Sequence, residues 1–124
     1  RAGLSNTEYR KERTMQHIDE EMMNTQLREL KPFINEEGQL TSYPAKYKKK
    51  LMALRYLADK IDTGREYSEP EINSLINSLH TFGDQATLRR ELINKRLLFR
   101  STDCSRYWAE ENDDTFEAFM QRFI

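Results

Sequence analysis

The sequence has one cysteine, no long apolar run, no excess of basic charge and none of the short motifs that announce a catalyst. Cys104 alone excludes an intramolecular disulfide, and its expected place at a loop tip leaves an intermolecular bridge, a thiol switch or an incidental thiol. No window approaches the roughly 18 consecutive apolar residues of a membrane span and no signal peptide is visible, so no membrane partner is expected and the cytoplasm is the default location. Twenty Lys and Arg against 21 Asp and Glu give a formal net charge of -1, whereas dedicated nucleic-acid binders usually show a basic total or a strong basic patch. Any nucleic-acid argument therefore depends on where the charges lie. His17 and His80 are not paired with cysteine at metal-ligand spacing, and neither a Gly-rich phosphate loop nor G-x-S-x-G occurs. No enzymatic activity, metal or cofactor is expected. Glu110, Glu111, Asp113 and Asp114 read as a helix cap and first-turn acids rather than a catalytic pair.

At 124 residues the chain is one domain's worth, and 37% apolar with 33% charged residues predict a small core carrying exposed helices. Leu4 to Lys31 reads as one long helix, opened by a Ser5 and Glu8 capping box and ended by Pro32. Its apolar stripe, Met15, Ile18, Met22, Met23, Leu27 and Leu30, suits one packing surface, within the chain or on a partner. Phe33 to Leu40 reads as a short extended pair around the turn Asn35 to Gly38. Pro44 is expected to open the next helix, with Tyr47, Leu51, Leu54, Leu57, Ala58 and Ile61 at helical spacing. Ser68 and Glu71 form a second capping box, so a helix is expected from about Glu69 to Leu79, with Tyr67 as a structural staple against Ile72.

The run from Asp84 to Trp108 is the most telling. Asp84 caps a third helix to about Lys95, and Leu97 to Arg100 and Arg106 to Glu110 read as the two strands of a ribbon joined by Ser101 to Ser105. A last helix, from about Asp114 to Phe123 and capped by Asp113 or Asp114, carries Phe116, Phe119, Met120 and Phe123 on one side. The predicted fold is mainly α with a small β-ribbon: a winged helix-turn-helix-like core with a C-terminal helix over 32–124, preceded by an amphipathic helix over 1–31. Such an order presents a third helix and a wing to double-stranded DNA.

Tyr43-Pro44-Ala45-Lys46, Gly64 to Glu69 with Glu71-Ile72-Asn73, Ala86 to Leu92, and Arg106-Tyr107-Trp108 together resemble the bacterial family called domain of unknown function 2087, over about Lys31 to Ala109. The resemblance implies a winged-helix-like fold and an association with helix-turn-helix or ArsR-type regulators. It implies a part in transcription without an activity, and the metal ligands of ArsR-type sensors are absent. The chain departs from the family pattern at two glycines, carrying Arg96 just past the third helix and Cys104-Ser105 in the wing turn.

The candidate DNA contacts are Thr87, Arg90 and Asn94 on the third helix, Arg100 and Arg106 on the wing, and Lys46, Lys48, Lys49 and Lys50 at the start of the first core helix. Glu91 faces the same way as Arg90 and opposes phosphate. The lysines have Glu36 and Glu37 as alternative, internal partners. Arg89 is expected to point inward and to need a carboxylate, with Glu66, Glu69 and Glu71 as candidates, and is assigned a structural role. Trp108 is expected in the core, with Tyr107 on the opposite face. The competing reading is a protein-interaction module without DNA binding, dimerising through the 1–31 helix and the terminal helix.

Overall fold

The computed structural model describes residues 28–111 and 115–123, the side chain of Phe116 excepted. The expected helix from Leu4 as far as Leu27, its capping box, its methionine stripe and His17, and the proposed caps Asp113 and Asp114, lie outside the described residues, whereas residues 28–30 are helical and Leu30 is buried. The chain divides into two compact units, Leu30–Asp113 and a second made of Arg1–Glu29 with Asp114–Ile124.

The core unit is mainly helical with a small antiparallel sheet. After a 3-10 turn, Lys31–Phe33, it runs α1 (Tyr47–Ala58), β1 (Glu66–Tyr67), α2 (Glu69–Ser78), α3 (Gln85–Asn94), β2 (Phe99–Arg100) and β3 (Tyr107–Trp108). The sheet order is β1-β3-β2. The sequence reading foresaw only the two-stranded ribbon. Glu66–Tyr67 is too short to show a period, and it adds a third strand by pairing Tyr67 with Tyr107 and Glu66 with Trp108.

That register corrects the expectation for the wing aromatics. Directly paired residues share a face of a sheet, so buried Tyr67 and Tyr107 both face the core. Trp108 faces outward, half-buried and stacked on Phe99 with centroids 6.1 Å apart. Its indole N–H donates to Glu110 Oε2 at 3.1 Å, which satisfies the polar end of a ring that is not enclosed.

Helix α1 begins at Tyr47 rather than at Pro44, with Lys46 as an N-cap that makes no side-chain bond. Leu51, Met52, Ala53 and Leu54 are all buried, so its central turn is enclosed on every side, while Tyr47 at its start is 49% exposed. The capping box of α2 forms as expected: Glu71 N–H donates to Ser68 Oγ at 3.2 Å and Ser68 N–H to Glu71 Oε1 at 2.9 Å. Ile72 and Ile76 are its buried positions. Asp84 caps α3 by accepting from Thr87 N–H at 3.4 Å, and Leu88 and Leu92 point inward.

The corner between α2 and α3 is held by His80, the buried polar residue of the core unit. The Ile76 carbonyl lies 2.7 Å from Nδ1, and a carbonyl only accepts, so Nδ1 carries the proton. Nε2 is then free to accept from Asp84 N–H at 2.9 Å. One ring therefore joins the last turn of α2 to the cap of α3. Phe82 meets it edge-on at 4.6 Å. From outside, Leu40 bridges His80: Leu40 N–H donates to Leu79 O at 2.9 Å and Thr81 N–H to Leu40 O at 3.0 Å. Leu40 is itself set by the turn before it, where Asn35 Oδ1 accepts from the N–H groups of Glu37 and Gln39. Tyr56 of α1 donates to Gly38 O at 2.9 Å.

Helix α3 ends in a Schellman motif, with Leu97 N–H bonded to Leu92 O at 2.8 Å and Arg96 N–H to Ile93 O at 3.0 Å. That ending requires a left-handed residue, and Arg96 supplies it at φ 61. In the wing turn Cys104 sits at φ 63. A side chain in this region costs about 1–2 kcal/mol.

In the second unit, α4 (Phe116–Arg122) is capped by Thr115, whose hydroxyl accepts from Ala118 N–H. A threonine one residue beyond the expected acids thus serves as the cap. Phe119 and Met120 are buried, and Phe123 meets Phe119 edge-on at 5.2 Å.

Cys104→Gly is expected to stabilise the protein by about 0.5–1 kcal/mol, since it relieves the left-handed backbone at some cost in unfolded-state entropy. Urea unfolding under reducing conditions checks this, and an unchanged or lower midpoint would show the turn to be unstrained.

Candidate nucleic-acid interface

The outward face of α3 follows from its buried one. Leu88 and Leu92 lie beneath the helix, which places Ala86, Arg90 and Asn94 on the exposed side, with Thr87 half-buried beside them. Ala86 is exposed and Ile93 half-buried, so the inward sector of α3 is narrow. Arg90 makes no ion pair among the described residues.

Arg89 lies at the edge of the inward sector, with its side chain 22% exposed. Its guanidinium donates to Asn73 Oδ1 and, at 3.4 Å, to Gln85 Oε1. Of the three carboxylates expected for it, Glu69 lies 3.9 Å away. Glu71 is engaged in its capping box and with Arg65 at 3.8 Å, and Glu66 with Arg106 at 3.9 Å. The guanidinium also lies 5.9 Å from the Tyr107 ring centre. Arg89 thus ties α3 to α2 and approaches the sheet. Asn73, a neutral acceptor, was invisible to a search for opposite charge.

At the start of α1, Lys46 and Lys48 are exposed and Lys49 and Lys50 half-buried. None of the four reaches a carboxylate among the described residues, Glu36 and Glu37 included. Their neighbours are rings instead: Lys49 lies over Phe33 at 5.9 Å and Lys50 over Tyr43 at 5.3 Å. Burial, reinforced by the negative charge of Glu91, pushes the Tyr43 hydroxyl up to about 12. The start of α1 lies beside the Glu91 side of α3. Lys95 of that side pairs with Glu91 at 3.4 Å and lies over Tyr47 at 5.8 Å.

The β2–β3 hairpin is less basic than its two arginines suggest. Arg100 is exposed on the edge strand β2, but Arg106 is drawn to Glu66. The turn between the strands is organised around Asp103. Its carboxylate accepts from Ser101 Oγ at 2.7 Å, Ser105 Oγ at 2.8 Å and Ser105 N–H at 3.1 Å. The Ser101 hydroxyl foremost, then Ser105, hold the carboxyl down to about 2. The turn between β2 and β3 therefore presents a fixed negative charge. Sequence reasoning missed it, although Ser-x-Asp-x-Ser is the pattern of a side-chain-closed turn.

Among the described residues no cluster of three or more His, Cys, Asp or Glu side chains could hold a metal ion, and no helix is long and apolar enough to cross a membrane.

The fold defines a small helical protein with a three-stranded antiparallel sheet, with exposed basic groups on α3, on the edge strand and at the start of α1 among others. A family model described as an uncharacterized protein conserved in bacteria (DUF2087) matches residues 39–109, more than half of the chain and nearly all of the core unit. The chain belongs to that family. No curated protein and no solved structure matches it significantly.

Folding depresses the Asp103 carboxyl, so the turn's hydrogen bonds act in full above the ordinary aspartate range and are lost as pH falls through about 2. Ser101→Ala is expected to move the Asp103 midpoint up toward that ordinary range, read from its side-chain carbon resonance. An unmoved midpoint would show that the carboxylate is not held by Ser101.

Proposed function

We propose that the protein is a winged-helix-like, transcription-associated factor of the bacterial cytoplasm that binds double-stranded DNA through α3. The observation carrying this reading is the element order helix, strand, helix, helix, strand, strand with sheet order β1-β3-β2, which leaves Arg90 and Asn94 exposed on the third helix. A helix so presented fits the major groove, where Arg90 suits a guanine edge or a phosphate and Asn94 an adenine edge. Thr87 adds a hydroxyl beside them. Lys46, Lys48, Lys49 and Lys50, with Arg100, supply backbone contacts of the kind that release counterions. Arg106 contributes less, because Glu66 already shares its charge.

A second reading draws on the carboxylates. Asp103 in the wing turn and Glu91 beside Arg90 oppose phosphate, which favours a frame that binds protein instead. A homodimer through the amphipathic segment 1–31, expected from sequence to be helical, is its simplest form. Light scattering on the full chain at several concentrations reads it, and a monomeric mass throughout contradicts it.

For DNA, fluorescence anisotropy of a labelled duplex at low salt is expected to show binding whose logarithm falls with log salt at a slope of about -3 to -5. Arg90→Ala should weaken it by roughly tenfold. Absence of binding, or binding indifferent to salt, would overturn the DNA reading.

A further inference from the structure

Resting on the DNA reading, the geometry points to Arg96, just past the end of α3, as a phosphate-contacting residue. We propose that its guanidinium grips the duplex backbone at the C-terminal end of that helix.

Two observations carry this. First, the backbone at Arg96 is left-handed, with φ 61, as the Schellman ending requires. Glycine meets that requirement without strain, so a long cationic side chain is kept here at the expense of stability. Strain of this sort, once observed, motivates a functional hypothesis. Second, the side chain is exposed and makes no ion pair or ring contact among the described residues. Other arginines of the core unit are engaged: Arg65 with Glu71, Arg89 with Asn73 and Glu69, and Arg106 with Glu66. Arg96 supports nothing internal that would explain its presence. It stands two residues past Asn94 and four before Arg100, between the exposed face of α3 and the exposed edge strand. A planar fork of donors suits a phosphate oxygen pair, and no carboxylate among the described residues lies within ion-pair distance to compete for it.

Three variants separate charge from backbone. Arg96→Gly is expected to raise the melting temperature by about 3–6 °C, weaken duplex binding by about tenfold at low salt, and reduce the steepness of the salt slope by about 0.9. Arg96→Ala keeps the strained backbone, so it should lose the same affinity without the thermal gain. Arg96→Lys should keep most of the slope. A purely structural arginine would move the melting temperature alone. If Arg96→Gly and Arg96→Ala bind as tightly as the wild type with an unchanged slope, the assignment is wrong while the DNA reading stands. If the wild type shows no salt-dependent binding, both fall together.

Discussion

The α2–α3 corner depends on the imidazole of His80. A buried ring has two nitrogens to satisfy, and an unmade hydrogen bond in the core costs about 1–3 kcal/mol. Here each nitrogen meets a group that also needs a partner: a carbonyl near the end of α2, and the backbone N–H of the residue that caps α3. The arrangement admits one neutral tautomer, with the proton on Nδ1. Because Leu40 bridges the same residue from outside, the turn after Phe33 is fixed by the bond network that fixes the corner. The direction of α3, and with it the exposure of Arg90 and Asn94, follows from this joint.

A second tie acts further along the helices. Arg89 joins α3 to Asn73 and Glu69 of α2 and approaches Tyr107 of the sheet. With His80 at the corner and Arg89 in the middle, α2 and α3 are linked at two separated points. The charge left over is what can meet a partner. Arg65, Arg89, Lys95 and Arg106 are each opposed by a carboxylate, whereas Arg90, Arg96, Arg100 and the lysines at the start of α1 reach none among the described residues. A net charge of -1 thus conceals an uneven surface, and the Asp103 turn marks where it becomes acidic.

The helices of the core were legible because periodicity and caps agree: Ser68 with Glu71 and Asp84 with Thr87 form the bonds their spacing implies. The sheet was legible only in part. Glu66–Tyr67 reads as the approach to a capped helix, since two residues carry no alternation, and only pairing with β3 makes it a strand. Alternation also required Tyr107 and Trp108 to face opposite ways without saying which faces the core. The Tyr67 register decides it. For the interface, the outward positions Arg90 and Asn94 of α3 could be read from its period, Thr87 being half-buried. The neutral partner of Arg89, the closed Asp103 turn and the exposed side chain of Arg96 are tertiary facts that no spacing encodes.

The joint at His80 is most directly tested by nitrogen-15 correlation spectroscopy of its imidazole near neutral pH. The predicted result is a neutral ring with the proton on Nδ1, an unprotonated Nε2, and an Asp84 amide protected from exchange to the same degree as the core of α2. A proton on Nε2, or an Asp84 amide that exchanges as freely as an exposed loop, would contradict it.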